Sequence, residues 1–318
     1  QNCATIVSNC ADTFRAAPPR ERPRSQSMEE ILNILLDGGR NVVTALAGLV
    51  FPAALALILA ILFKGKTWLA DLRRAMPEMR LTLKIVVFNV LVTGPMLVIT
   101  MTAFHQWLVN LGLTLFEPGD WDGLPKWLVM FTAVFICDFF SYWRHRLDHM
   151  PLLWPAHAVH HSDTHVTWIT SARWHPINLL TVRGLVGSAM LLVGFPVYAL
   201  VFNSMLRGLY GYFIHMDLPW TYGKWGQYFV SPAMHRWHHS ADEVAYDSNF
   251  ATVFGLWDWA FGTHYVPGPC DSPLGVTDDI EPTLWSQFSY AFRPKAYAHL
   301  FRRKPASAAT ASEVTPAE

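Results

Sequence analysis

Two long apolar runs without a charged residue most strongly constrain the fold of this chain. Residues 41–63 and 85–104 contain no Asp, Glu, Lys or Arg. A helix of about twenty apolar residues is needed to cross the roughly 30 Å hydrocarbon core of a bilayer. Each run is therefore predicted to be a membrane span. The second run contains Gly94 and Pro95, which transmembrane helices tolerate better than helices of soluble proteins do.

The composition of the chain also indicates that lipid, rather than water, surrounds much of it. Of its 318 residues, 52% are hydrophobic and 15% are charged, against roughly a quarter charged in an average soluble domain. The formal net charge is +0, so no overall positive field exists to attract nucleic acid, and no nucleic acid partner is expected. Cys3, Cys10, Cys137 and Cys270 have no close CxxC spacing, which indicates neither a disulfide framework nor a thiolate metal site.

Two further apolar stretches extend the predicted membrane bundle. Residues 127–143 form a third predicted span, and residues 179–214 have the length of a helical hairpin with a short or re-entrant second arm. The connection at residues 64–84 is basic and the loop at 117–126 is mainly acidic, so the positive-inside rule makes the first connection cytoplasmic. We expect an all-α, multi-pass integral membrane bundle of four or five segments with a cytoplasmic, histidine-rich cap, in a bacterial inner membrane or the endoplasmic reticulum.

Shifts in composition define the expected domains. Residues 1–27 are rich in Arg and Pro and are predicted to be a disordered leader, and the natural start is expected near Met28, which opens the first apolar pattern. Residues 28–126 are assigned to the N-terminal membrane spans and residues 127–265 to a histidine-rich domain with membrane helices. Residues 266–318 form a C-terminal segment that ends in a predicted disordered tail.

The chain has 14 histidines, and most of them occur in compact motifs. His145 and His149 form an HxxxH at the end of the third predicted span, where helical spacing puts both imidazoles on one face. The HxxHH spacing then occurs twice, in His157, His160 and His161 and in His235, His238 and His239. Imidazole is the commonest side-chain metal ligand, and one first-row ion takes only about four to six ligands. Two metal ions are therefore predicted.

Three further side chains are candidates for the same site. His215 ends the short apolar arm and is predicted to be an additional ligand, whereas His175 has no partner at helical spacing and could be a ligand or support one. Asp138 shares a helical stripe with His145 and His149, and a carboxylate inside a membrane segment is expected to be functional. We expect Asp138 to accept the distal N–H of a ligand histidine. Ordinary structural or surface roles are expected for His105, His165, His264 and His299.

Imidazole ligands alone do not show whether the metal is iron, zinc or copper. The HExxH signature of metalloproteases is absent, because Arg146 and Arg236 stand where the glutamate would be, so peptide hydrolysis is disfavoured. A metal transporter would place ionisable ligands in the middle of its spans, and the first two predicted spans contain none. A membrane protein that binds zinc for structural purposes, without redox turnover, is the alternative interpretation.

Three segments carry a resemblance to a known family. They are DFFSYWRHRLDH at 138–149, WPAHAVHHS at 154–162 and PAMHRWHHS at 232–240, followed by DSNF at 247–250 and WDWAFGT at 257–263. In the order and spacing of these segments the chain resembles the fatty acid hydroxylase and sterol desaturase superfamily of integral membrane proteins. The resemblance covers residues 85–265.

The resemblance implies a di-metal centre, usually di-iron, with zinc as an alternative occupant of purified protein, and it makes residues 127–265 the catalytic domain. It also implies that O2 and a separate electron donor, a cytochrome or ferredoxin with its reductase, serve to hydroxylate or desaturate a lipid. Fatty acyl chains, sterol-like lipids, ether lipids and carotenoids all remain candidate substrates. Gly211 stands where some members carry a second histidine, so His175 or water is the candidate replacement. The implied ligands are His145, His149, His157, His160, His161, His215, His235, His238 and His239.

Overall fold

A computed structural model describes residues 28–297 of the chain, with side chains from residue 36 onward. Within these residues the chain folds into helices and forms no β-strand beyond one isolated antiparallel bridge between Ser240 and Leu274. The prediction of an all-α protein is confirmed for this part. The expected leader and tail lie outside the described residues, as do Cys3, Cys10 and His299.

Four helices form the apolar N-terminal part of the structure. They are α1 (Met28–Gly48), α2 (Val50–Lys64), α3 (Trp68–Phe88) and α4 (Gly94–Asn110). The predicted span at residues 41–63 is divided between α1 and α2, because the helix is interrupted at Leu49. Pro52 lacks the N–H that would bond to the carbonyl of Gly48, which explains a break that hydropathy alone does not show.

The second predicted span, residues 85–104, lies within a longer helical path that runs through α3 and α4. The connecting residues Asn89–Thr93 form a π-helical turn, in which the N–H of Gly94 bonds to the carbonyl of Asn89. Pro95 follows directly and has no N–H to donate, so the wider turn accommodates it. The side chain of Asn89 donates to the carbonyl of Trp174 at 2.9 Å, which ties this helix to the histidine-rich part of the chain.

Two stretches of the described helices, Leu36–Asn110 and Lys126–Asp148, are long and apolar enough to cross a membrane. Only 6% of the most apolar window in the first stretch is buried, and large side chains such as Phe51, Leu62 and Ile99 are more than half exposed. A water-soluble protein rarely exposes so much continuous apolar surface. These stretches and the family relationship described below identify a membrane protein, and the count of four or five spans stays a prediction.

The C-terminal part of the described chain consists of one long helix surrounded by shorter ones. These are α5 (Lys126–Asp148), α6 (Trp154–His161), α7 (Pro176–Thr181), α8 (Ser188–Leu192), α9 (Val197–Ile214), α10 (Pro232–His238), α11 (Leu256–Ala260) and α12 (Leu284–Tyr290). The third predicted span lies within α5. The predicted hairpin at 179–214 has two helical arms, because α7 and α8 are joined by a π-helical segment, Val182–Gly187, and a turn at Gly194 leads into α9.

The core fixes α5 between the hairpin and the histidine-bearing loops. Cys137 of α5 belongs to one buried cluster with Met190 of α8 and Ala199 of α9. Nearer the end of the helix, Tyr142 belongs to a second cluster with Phe250. The two clusters hold the last turn of α5, which carries the first histidines, at the centre of the described structure.

Candidate metal centre

Three helix ends bring the histidine motifs together. His145 lies in the last turn of α5 and His149 caps that helix. The short helices α6 and α10 each have a proline in their first two positions, where the missing N–H costs no helical hydrogen bond. Each of these two helices carries one HxxHH motif, so both copies of the motif approach the end of α5.

The structure gathers nine histidines into two groups, and the ligand nitrogens of each group lie within 4.8 Å of one another. A helix turns about 100° per residue, so residues at i and i+4 point about 40° apart and the residue at i+3 points elsewhere. Each HxxHH motif is therefore divided between the groups. The five-histidine group contains His145, His149, His157, His161 and His238, and the four-histidine group contains His160, His215, His235 and His239.

Backbone carbonyls orient two imidazoles of the five-histidine group. Nδ1 of His145 donates to the carbonyl of Phe250 at 2.8 Å, and Nδ1 of His238 donates to the carbonyl of Ser248 at 2.7 Å. A carbonyl can only accept, so each Nδ1 carries the proton and each Nε2 has a free lone pair. The Nε2 atoms of His145 and His238 lie 3.0 Å apart. Because neither Nε2 carries a proton, no hydrogen bond can form between them.

The four-histidine group is built in the same way. Nδ1 of His215 donates to the carbonyl of Gly211 at 2.6 Å. Its Nε2 lies 2.9 Å from Nε2 of His235 and 3.3 Å from Nε2 of His160. Gly211, where some relatives were expected to carry a second histidine, thus contributes a backbone carbonyl that orients His215.

These distances fit a metal centre. Metal–nitrogen bonds of about 2.0–2.1 Å place neighbouring ligand atoms roughly 2.9–3.4 Å apart in octahedral or tetrahedral geometry. The facing Nε2 atoms lie 2.9–3.3 Å apart, and lone pairs so close repel unless a cation lies between them. Nitrogens of His149, His160, His235 and His239 are buried without a hydrogen-bond partner among the described residues.

The protonation state of the histidines also suits a metal. Burial lowers the pKa of His157, His161 and His239 well below its usual value, because an imidazolium ion would lose its hydration, and the neighbouring imidazoles lower it further. Burial lowers the pKa of His215 to about 4. These side chains are neutral near pH 7, which is the form that binds a metal ion.

Aromatic rings close the sides of the centre. The ring of Phe250 lies 5.0 Å from that of His149 and 5.8 Å from that of His238. Trp174 stacks on His160 with ring centroids 5.2 Å apart. These rings exclude water from two sides. A cleft of about 390 Å³ lined by His149, His161 and His238 leaves the five-histidine group open on a third side.

A buried ion pair next to the centre was not predicted from the sequence. Arg144 and Asp148, four residues apart in α5, lie 2.5 Å from each other and are nearly inaccessible to solvent. Asp148 Oδ2 is 3.9 Å from Nδ1 of His157. The four-residue spacing of opposite charges, one directly before the HxxxH motif and one inside it, was the available signal.

Asp138 does not have the predicted role. Its carboxylate accepts the backbone N–H of Val253 at 3.1 Å and of Phe254 at 2.8 Å, and it pairs with Arg207. Asp138 precedes His145 by about two helical turns, and the Nδ1–H of His145 is already bound by the carbonyl of Phe250. The prediction that Asp138 contacts a ligand histidine is wrong.

His175 lies outside both histidine groups. Its Nδ1 accepts the N–H of Ile177 at the start of α7, at 3.1 Å, and its Nε2 donates to the carbonyl of Phe288 in α12, at 3.0 Å. Both ring nitrogens therefore serve to hold α12 against α7, which leaves none for a metal. Other residues outside the two groups are His105, His165, His264, Cys137 and Cys270.

A helical membrane protein in which two adjoining groups of mostly buried histidines meet at the end of an apolar helix has the ligand arrangement of a membrane metalloprotein. The fatty acid hydroxylase family model matches residues 130–263, the region that contains all nine histidines. The chain belongs to the fatty acid hydroxylase and sterol desaturase superfamily.

Three relatives illustrate the range of this superfamily. Ornithine lipid hydroxylase OlsE from Rhizobium tropici is 28% identical over 192 residues, which are 60% of this chain and 57% of that protein. Alkylglycerol monooxygenase from Danio rerio is 30% identical over 58% of this chain and 39% of that protein. Very-long-chain aldehyde decarbonylase GL1-11 from Oryza sativa subsp. indica is 30% identical over 58% of this chain and 68% of that protein. The chain thus spans little more than half of the first relative and less than half of the second. No solved structure matches it significantly.

Proposed function

We propose that this protein is an O2-dependent di-iron oxidoreductase that hydroxylates a membrane lipid. The observation that carries the proposal is the pair of histidine groups, five and four imidazoles with no carboxylate or thiolate in either group. Nine nitrogen ligands exceed the needs of one ion. Relatives named as a hydroxylase and a monooxygenase favour a redox metal over structural zinc, and hydroxylation over desaturation.

Two bound irons would supply O2 activation and the cleavage of an unactivated C–H bond. The chain would hold these ions through the two histidine groups, and the carbonyls of Ser248, Phe250 and Gly211 keep the Nε2 atoms of His238, His145 and His215 unprotonated and directed inward. The aromatic rings beside the groups restrict the access of water. A separate electron donor, a cytochrome or ferredoxin with its reductase, would deliver the electrons.

The apolar helices supply the setting for a lipid substrate. α5 carries the end of a membrane-compatible segment directly into the five-histidine group, so a substrate could reach the centre from the bilayer. The position of the histidine groups at the end of α5 and the basic connection at residues 64–84 support a multi-pass arrangement with these groups on the cytoplasmic side.

Metal analysis of detergent-purified protein tests the proposal. We expect about two irons per chain, coupled as a pair in the Mössbauer spectrum, and lipid oxidation that depends on O2 and reductant. His238→Ala should lose bound iron and activity together, whereas His264→Ala, outside both groups, should retain both. Two zinc ions that resist exchange with iron, with no O2 uptake under reducing conditions, would instead establish the structural zinc protein.

A further inference from the structure

A second cleft, of about 500 Å³, joins an apolar wall to a set of charged side chains. This volume is in the range of sites that hold small molecules. At one end α2 contributes the small apolar residues Ala53, Ala56 and Ala60. At the other end lies the charged chain, which consists of Arg74, Asp71, Lys64, Asp217 and Arg236.

The charged chain is a continuous series of ion pairs of alternating sign. Lys64 is central, since its Nζ lies 2.9 Å from Asp71 Oδ2 and also pairs with Asp217. Arg74 pairs with Asp71 at one end, and Arg236 lies 3.1 Å from Asp217 at the other. Each carboxylate therefore has two cationic partners, and each terminal arginine has one carboxylate. Three cations against two carboxylates leave one net positive charge.

Part of this positive charge is shielded from bulk water. The side chains of Lys64 and Arg236 are 18% and 13% exposed, whereas that of Arg74 is 65% exposed. Screening by water and salt is weaker at the two shielded cations than at an ordinary surface pair. Lys64 and Arg236 would thus contribute most of the electrostatic stabilisation of an anionic group in the cleft. Arg74 lies at the entrance.

The apolar end of the cleft is reachable from lipid. Leu57 lines the cleft and is 43% exposed on the surface of α2, which belongs to the apolar membrane stretch. The cleft also borders the metal centre, because its wall residues Met216 and Arg236 directly follow His215 and His235 in the chain.

We propose that this cleft binds one lipid molecule, with its acyl chain along the alanine face of α2 and a headgroup of net negative charge at the charged chain. A phosphate or a carboxylate would serve equally, because both accept hydrogen bonds from lysine and arginine. The identification of this lipid as the substrate rests on the proposed function, whereas the binding site itself does not.

Equilibrium binding of three oleoyl lipids to the full-length protein tests the headgroup assignment. Oleate and oleoyl lysophosphatidic acid should bind about tenfold more tightly than neutral monooleoylglycerol, as expected for a hydrogen-bonded charge in a partly shielded site. Tight binding of only one of the two anionic lipids would identify the headgroup as phosphate or carboxylate. Equal binding of all three lipids would overturn the proposal.

A matched pair of double variants tests the location of the headgroup. Lys64→Gln/Arg74→Gln should abolish the preference for anionic lipids. Lys66→Gln/Arg73→Gln removes the same charge from exposed neighbours that do not line the cleft, and it should retain the preference. An unchanged preference in the first variant would place the headgroup elsewhere.

A second pair of variants tests the acyl end of the cleft. It keeps the proposal testable if the charge variants misfold. Ala56→Phe fills the cleft, whereas Ala54→Phe adds the same bulk at an exposed position outside it. Only the first should weaken the binding of all three lipids, and equal weakening by both variants would reject the site.

Metal content and turnover separate this proposal from the proposed function. With iron bound, Lys64→Gln/Arg74→Gln should raise the KM for an anionic substrate and leave the iron content unchanged. If lipids bind as described but no lipid is oxidised, the oxidase function fails and the lipid site stands. If lipids are oxidised but the two double variants have the same KM and the same binding preference, the lipid site fails.

Discussion

Three of the clustered histidines owe their orientation to the main chain. Nδ1 of His145, His215 and His238 each donates to a backbone carbonyl, so Nε2 faces the centre of its group. The carboxylate that the sequence suggested for this purpose, Asp138, binds backbone and an arginine instead. Because a carbonyl cannot be removed by substitution, the tautomers of these three residues follow from the fold itself.

The neutral state of the histidines predicts how stability depends on pH. The folded pKa of His215, about 4, is below the unfolded value of about 6.5, so the unfolded chain takes up the proton first as pH falls. Each such histidine should cost the metal-free fold up to about 1.4 kcal/mol per pH unit below about pH 6.5, until its folded pKa is reached. Chemical unfolding of metal-free protein at several pH values measures this loss.

The control for this prediction removes two of the buried histidines. A His215→Gln/His239→Gln variant should show a shallower loss of stability below about pH 6.5, because fewer groups take up a proton on unfolding. A slope equal to that of the unmodified protein would show that these side chains are not held neutral.

Between elements, one buried ion pair connects α5 to α9 and to the loop before α11. Asp138 of α5 pairs with Arg207 of α9, and the same carboxylate accepts the N–H groups of Val253 and Phe254. The loop that follows Phe250 is therefore fixed to α5 at two places, through Asp138 and through the imidazole of His145. Helix packing and ligand orientation depend on the same segment.

Removing this ion pair should affect stability more than metal content. Asp138→Ala leaves Arg207 buried without its carboxylate, which should lower the free energy of unfolding by about 3–5 kcal/mol. In Asp138→Ala/Arg207→Met the stranded charge is absent, so the loss should be smaller. Denaturant unfolding measures both, and elemental analysis of the folded fraction should find the same metal content as in the unmodified protein. Loss of metal at unchanged stability would return Asp138 to the role first expected of it.

The turn between α8 and α9 depends on a glycine. Gly194 has φ of 72°, and a Cβ there would lie 1.9 Å from the carbonyl oxygen of Phe116. Gly194→Ala should destabilise the hairpin by more than the roughly 1–2 kcal/mol of a left-handed residue alone, because the backbone must also move. Gly187→Ala is the control, since its Cβ would meet nothing closer than 3.8 Å. Equal unfolding temperatures for the two variants would contradict the close contact.

Across the whole molecule, the sequence predicted the features that depend on local periodicity. Apolar patterning placed helices at 127–143 and 179–214, and α5 and the hairpin are found there. The spacing of His145 and His149 correctly indicated a shared face, because it depends only on the pitch of a helix. The run at 41–63 is helical as predicted except at Leu49, where the interruption depends on Pro52 and not on mean hydropathy.

Features set by contacts between distant residues could not be predicted. The Nε2 atoms of His145 and His238 meet across 93 positions of the chain, and Asp138 reaches residues 253–254. The sequence identified Asp138 as a carboxylate in a predicted membrane helix but gave it the wrong partner. Which partner it finds depends on how α9 and the following loops pack on α5, and no local pattern contains that information.

The division of each HxxHH motif between the two groups has a consequence for how the proposed centre fills. α6 and α10 each contribute to both groups, so an ion bound in one group also immobilises imidazoles that the other group needs. The second ion would then meet side chains whose conformational freedom has already been reduced, which would make its binding more favourable than that of the first. Loading of the proposed centre would then be cooperative, and under limiting metal the population would separate into empty and fully loaded molecules with few half-loaded ones.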